Sequence, residues 1–115
     1  KNRFNTDIQS IVVLADNRTA SASECLIGAM IHYGGVFSKD KLIIEKNTSD
    51  VAKTYGKGIM QTTYGLNGGG ALKLTTARIL WPDSTTCIHG VGISTNKIEN
   101  QVSRENVISR ALQVI

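Results

Sequence analysis

A serine at a strand-to-helix turn, a lysine between two glycines and two histidines are the side chains in this chain whose settings could support chemistry. Ser21 lies in Thr19-Ala20-Ser21-Ala22-Ser23-Glu24, after the apolar run Ile11 to Ala15 and before the apolar stretch Cys25 to Tyr33. The first run is short, β-branched and bounded by polar residues, as in a buried strand, and the second has helical spacing. A serine that opens a helix has the positive end of the helix dipole and free N–H groups beside it, which would stabilise an oxyanion. Serine is nevertheless a weak nucleophile and needs a base. Ser21 to Glu24 also fits a capping box, with Ser21 as N-cap and Glu24 at N3, and a capping role alone accounts for the pattern.

The candidate bases differ in quality. His32 falls late in the same helix, three turns on from Ser21, so the helix holds the two apart; it reads as a polar residue near a helix end. His89 precedes Gly90 in a loop, with no Asp evidently placed to orient it. Lys57, between Gly56 and Gly58, is in the ordinary case a solvated turn residue. It is not a phosphate-loop lysine. That motif needs glycine five residues before Gly56, where Val51 stands, and Ser or Thr after the lysine, where Gly58 stands. To act as a base Lys57 would have to be desolvated, which lowers a lysine pKa from roughly 10.4 towards 7–8.

The elements that must position these residues follow from pattern. Residues 1–9 read as an irregular lead-in, residues 10–15 as a strand apolar on both faces, and Asp16 to Arg18 as a turn. The helix from about Ala22 to Tyr33 carries Cys25, Leu26, Ala29, Met30 and Tyr33 on one side and Ile27 and Ile31 on another, so it reads as largely buried. Gly34-Gly35 ends it. Leu42 to Ile44 form a second strand, and 45–54 a polar loop. Residues 59–66 and 71–80 form a hairpin about Asn67-Gly68-Gly69-Gly70. Trp81-Pro82-Asp83 breaks the second of these strands, and residues 84–100 read as loop. A closing helix over 103–115 has the stripe Val107, Ile108, Ala111, Leu112 and Ile115. The order β-α-β, hairpin, α predicts an α/β or α+β layered domain whose first two strands are parallel.

Composition bounds the function classes. One domain of 115 residues is large enough for a core. The net charge of +4 is mild and scattered, with no basic run interleaved with aromatics, so nucleic-acid binding is disfavoured. Cys25 and Cys87 have no metal-ligand spacing and define at most one disulfide. No apolar run reaches membrane length and no signal peptide is visible.

Several motifs, in order, resemble the carboxyl-terminal processing (tail-specific) protease family. They are Ala20-Ser21-Ala22-Ser23-Glu24, Tyr55-Gly56-Lys57-Gly58-Ile59-Met60-Gln61, Gly70-Ala71-Leu72-Lys73-Leu74-Thr75-Thr76, Trp81-Pro82-Asp83 and Ile88-His89-Gly90-Val91-Gly92-Ile93. The likeness covers residues 10 to 114. It implies a serine endopeptidase with a Ser–Lys dyad: Ser21 as nucleophile, Lys57 as general base, Gln61 positioning the lysine, and the Ala22 backbone N–H as one oxyanion donor. It also implies a crotonase/Clp protease-like β-α-β core, polypeptide substrates, no cofactor or metal, and an extracytoplasmic location in bacteria.

Three departures shape these expectations. Ser21 and Lys57 stand 36 positions apart, more than is usual in the family, with the surplus in the polar stretch 35–54. Tyr55 stands for the usual Phe, and Trp81 for Thr. The family's earlier Asp-Leu-Arg-x-Asn-x-Gly-Gly segment, which supplies the second oxyanion donor, has no counterpart here, nor does its PDZ domain. The chain therefore corresponds to the second half of such a catalytic domain, weak or inactive alone, with exposed apolar surface that could drive self-association. Two other readings remain: a non-catalytic binding relative, and a crotonase-like acyl-CoA enzyme, which would lack the Ser21, Lys57 and Gln61 set. A geometric condition also applies. A fully extended 57–61 would part Lys57 and Gln61 by about 13 Å, so their contact needs a bend or a helical turn.

Overall fold

The computed structural model describes residues 7–46 and 52–115. Most of the lead-in and the middle of the polar loop lie outside the described residues. Three strands form a parallel sheet: β1 (Val13–Ala15), β2 (Leu42–Glu45) and β5 (Gln101–Val102), with β2 in the centre. β1 and β2 pair in parallel with Val13 opposite Leu42, joined through helix α1 (Ala22–Tyr33). This is the expected β-α-β unit.

Burial separates the strands. In β2, Leu42, Ile43 and Ile44 are all fully buried, because a central strand here has cover on both faces. Leu42 and Ile44 join Ala15, Ile27, Phe37, Ala52, Ile88 and Ile93 in the core. Ile43 points to the other face, where helix α2 (Val107–Val114) packs against β2. Each such burial is worth about 1.5–3 kcal/mol. β1 departs from expectation. It is shorter than predicted and lies at the sheet edge, so Leu14 on its outer face stays 44% exposed.

Both helices bury only part of the apolar surface expected of them. In α1 the buried residues are Glu24, Ile27 and Gly28, with Met30 and Ile31 packed on the core; Leu26 and Tyr33 face outward. In α2 the half-buried residues are Val107, Arg110, Ala111 and Val114, whereas Ile108, Leu112 and Ile115 are exposed. Nearly every helix residue considered is apolar, so contacts from the sheet decide which side faces in. The closing helix also starts later than expected: residues 104–106 form a short 3-10 turn.

β3 (Ile59–Gly65) and β4 (Ala71–Arg78) form the expected antiparallel hairpin, separate from the parallel sheet. Met60, Thr62, Tyr64, Leu72 and Leu74 share one face, yet the apolar members are all about half exposed. The stretch predicted as loop after it contains a 3-10 turn at Ile98–Asn100 leading into β5, which pattern did not reveal because a two-residue strand has no period. Buried Asn100 ties this end together. Its Nδ2 donates to the Asp40 carbonyl at 2.7 Å, and its Oδ1 accepts from Arg110 Nε at 2.9 Å. Among the described residues no helix is long and apolar enough to cross a membrane.

Candidate active site

Ser21 is placed by a self-contained turn. Asp16 Oδ1 accepts the N–H groups of Arg18 (2.8 Å) and Thr19 (3.1 Å), which turns the chain sharply out of β1. Ser21 then adopts φ 55°, ψ −116°, a left-handed setting that few non-glycine residues take. Strain of this kind costs about 1–3 kcal/mol and gathers at functional sites. α1 begins at once: Cys25 N–H donates to the Ser21 carbonyl at 3.0 Å. Ala22, at the first helical position, has an N–H with no intrahelical acceptor. The serine and a donor with no intrahelical acceptor therefore lie side by side at the positive end of the helix.

Lys57 is brought to this turn by Glu24. The Glu24 side chain is fully buried. Its Oε1 accepts the backbone N–H of Ser21 (3.0 Å) and that of Lys57 (2.9 Å). Its Oε2 accepts the Thr54 hydroxyl (2.6 Å) and the Gly56 N–H (2.8 Å). Four donors on one carboxylate offset the cost of burying its charge. Sharing one acceptor keeps the Ser21 and Lys57 backbone nitrogens within about 6 Å of each other. A further bond, Tyr55 N–H to the Thr19 carbonyl at 2.9 Å, closes the same contact from outside. The expected capping contact of Glu24 is thus present, and the residue does a second job that its N3 position did not disclose.

The lysine loop is backed by residues 88–94. Lys53 and Ser94 form an antiparallel bridge, and Thr54 N–H donates to the Ile93 carbonyl at 2.9 Å. Ile93 N–H donates to the Thr54 hydroxyl (2.7 Å), which in turn donates to Glu24 Oε2. The two segments approach so closely that side chains are excluded. A Cβ on Gly92 would lie 2.3 Å from the Thr54 carbonyl oxygen, and one on Gly56 would lie 2.8 Å from the Gly92 nitrogen; both residues have positive φ. This explains Gly92 in the Ile88 to Ile93 motif and Gly56 in the lysine loop. His89 takes no part as a base beside Ser21 in this arrangement; its Nδ1 accepts the Gly58 N–H at 3.3 Å and supports the lysine loop.

Gln61 lies elsewhere. β3 is extended from Ile59, so no helical turn joins Lys57 to Gln61, and Gln61 is exposed opposite Thr75. A register shift between Met60 and Gln61 bends the strand there. His32 is exposed near the end of α1, stacked edge-on against Tyr33. Cys25 and Cys87 are both free thiols. Thr54 was not singled out by sequence. The one available signal was Glu24, an acid at the head of an apolar helix, which needs more than one donor once buried. No group of three or more His, Cys, Asp or Glu side chains that could hold a metal occurs among the described residues.

A strained serine at a helix start thus has a lysine loop clamped against its backbone on an α/β scaffold. Residues 3–98 match peptidase family S41, and the chain belongs to that family. It is 34% identical over 96 residues to a carboxy-terminal-processing protease of Bartonella bacilliformis, covering 84% of this chain and 19% of that protein. It is 39% identical over 87 residues to a probable CtpA-like serine protease of Staphylococcus saprophyticus, covering 76% and 15%. Among solved structures it resembles the photosystem II D1 C-terminal processing protease, with a TM-score of 0.53 and 32% identity over 76% of this chain and 19% of that one. The chain thus spans less than a fifth of the length of these relatives.

Proposed function

We propose that this chain carries the nucleophile and base of a serine endopeptidase that cuts polypeptides near their C-termini. Ser21 Oγ attacks the peptide carbonyl carbon as Lys57 Nζ takes its proton. The resulting oxyanion is held by the Ala22 N–H and by a second donor from the Gly-Gly segment that family members carry upstream. Collapse breaks the C–N bond, and the lysine returns the proton to the leaving amine. Water, activated by Lys57, then releases the acyl group from Ser21. Gln61 would position the lysine after a local rearrangement of the first residues of β3.

The observation that carries this reading is the shared Glu24 oxygen, which holds the backbones of Ser21 and Lys57 together at a strained helix start. On this reading the β-α-β core is part of a crotonase/Clp protease-like domain, and the protein works outside the bacterial cytoplasm. Loss of one oxyanion donor costs about 10²–10³ in rate, so the 115 residues alone are expected to be weakly active at most. The test is labelling of the full-length protein with a fluorophosphonate probe. Wild type should label and Ser21→Ala should not; equal labelling of both sinks the assignment.

A further inference from the structure

We infer that the free edge of β3 is a self-association surface, on which a second copy of this chain adds its own β3 in antiparallel register about a two-fold axis at Thr62. The hairpin is a sheet of two strands, so one edge of β3 has no strand beside it. Neither strand packs extensively on another helix or strand among the described residues. Two strands alone are marginal in water, and further strands along an apolar face are what stabilise such a hairpin. The bonds at its two ends fix which backbone groups of β3 are free. Leu66 N–H donates to the Gly70 carbonyl at 3.1 Å, and Ile79 N–H to the Gly58 carbonyl at 2.7 Å. Bonded pairs alternate along antiparallel strands, so counting inward from either end makes Met60, Thr62 and Tyr64 the residues that bond β4. Ile59, Gln61, Thr63 and Gly65 turn their N–H and C=O groups to the open edge.

Charge decides which edge of the hairpin is used. β4 carries Lys73 and Arg78, and the register shift leaves Thr76 as an extra residue in it; charges and bulges guard a strand edge. β3 has no charged residue and no proline along its whole length. Two β3 strands therefore meet with no like charges opposed. The alternation also fixes the register. Residues with free groups must face one another, and the register centred on Thr62 is the one that uses all four. Ile59 then bonds Gly65 of the second copy, and Gln61 bonds Thr63 of the second copy. On the other face of the strand Met60 stands opposite Tyr64 of the second copy, a favourable sulfur–aromatic pair, and Thr62 opposite its own counterpart. The pairing shields Met60 and Tyr64, each about half exposed in the single chain.

The experiment uses full-length protein in sedimentation velocity. The dimer fraction should rise between about 1 and 100 μM, as for a small interface. Thr63→Pro removes one free N–H and no bond to β4, and should leave the protein monomeric across that range. Lys73→Pro does the same to the guarded edge of β4 and should leave the dimer unchanged. Cysteine pairing reads the register. Thr62 faces its counterpart at a non-hydrogen-bonded position, where Cα atoms lie about 4.5 Å apart, within reach of a disulfide. With oxidised glutathione, Thr62→Cys should therefore give a covalent dimer joined at position 62, as mapped by mass spectrometry. Its yield should exceed that of Thr63→Cys by about tenfold or more, because the two copies of position 63 lie diagonally across the interface, beyond disulfide reach. A monomer at every concentration, a dimer that survives Thr63→Pro, or equal linkage at positions 62 and 63 overturns the inference. A monomer in which position 62 is shielded from alkylation overturns it as well, and shows the edge covered by another segment of the same chain. Labelling of Ser21 enters none of these outcomes, so the protease reading is tested apart from them.

Discussion

One carboxylate oxygen of Glu24 accepts the backbone N–H of Lys57 at 2.9 Å, across 33 positions of sequence. The same oxygen accepts Ser21 N–H, so Glu24 is the joint between the helix start and the lysine loop. All four groups that bond it are donors. An amide would turn an N–H₂ toward two of them. Glu24→Gln should therefore cost about 3 kcal/mol of stability by denaturant unfolding, as expected for lost charge-assisted bonds. Labelling of Ser21 in the full-length variant should fall further than the loss of folded protein explains.

Ser21 holds positive φ at the N-cap of α1. Glycine takes this setting without steric cost and caps better than alanine. Ser21→Gly should therefore be more stable than Ser21→Ala by about 1 kcal/mol in thermal melts, with labelling lost in both. Equal stability would mean that the turn carries no strain.

Gly92 and Gly68 both have positive φ, but only Gly92 faces a neighbour. Its added Cβ would lie 2.3 Å from the Thr54 carbonyl, whereas nothing stands within 4 Å of Gly68. Gly92→Ala should unfold the protein or cost about 4 kcal/mol or more, because the 52–58 and 88–94 segments must part. Gly68→Ala should cost about 1 kcal/mol. Comparison of the two melting temperatures separates close packing from backbone conformation.

Trp81 is the sole tryptophan, so intrinsic fluorescence reports its setting alone. Its buried indole Nε1 has no acceptor among the described residues, and the ring lies so close to Gly28 that an added Cβ would be 2.8 Å from it. Gly28→Ala should displace the ring, shift its emission to longer wavelength and lower the melting temperature. Unchanged emission would contradict the contact.

Asp83 lies in the turn after β4, where its carboxylate accepts the N–H groups of Thr85 (2.9 Å) and Thr86 (2.8 Å) and the Thr86 hydroxyl. The Thr86 hydroxyl bond, then these backbone bonds, lower its pKa from 3.8 to about 2. A depressed carboxylate contributes stability above its unfolded pKa and loses it as pH falls through the folded value. The stability advantage of wild type over Asp83→Asn should therefore be full above about pH 4 and shrink as pH falls towards about 2. A series of thermal melts across that window checks it.

Local sequence determined the parts of this protein. The run from Ile11 to Glu24 specified a strand, a turn and a capped helix, and the glycines at 67–70 specified a hairpin, because those signals act between residues a few positions apart. The same short-range logic placed Ser21 at a helix start and gave Lys57 a glycine-flanked loop. Tertiary structure decided how the parts meet. Which stripe of α1 faces inward was not legible, since Leu26 and Ile27 are equally apolar and only the position of β2 chooses Ile27. The reach of Glu24 to Thr54, Gly56 and Lys57 was not legible either, because a capping acid looks the same in sequence whether it ends in solvent or in a buried clamp. The pairing of Ser21 with Lys57 was read from motif order; the backbone contact between the two segments is made by Glu24 and Thr19, with residues 88–94 backing the lysine loop from behind.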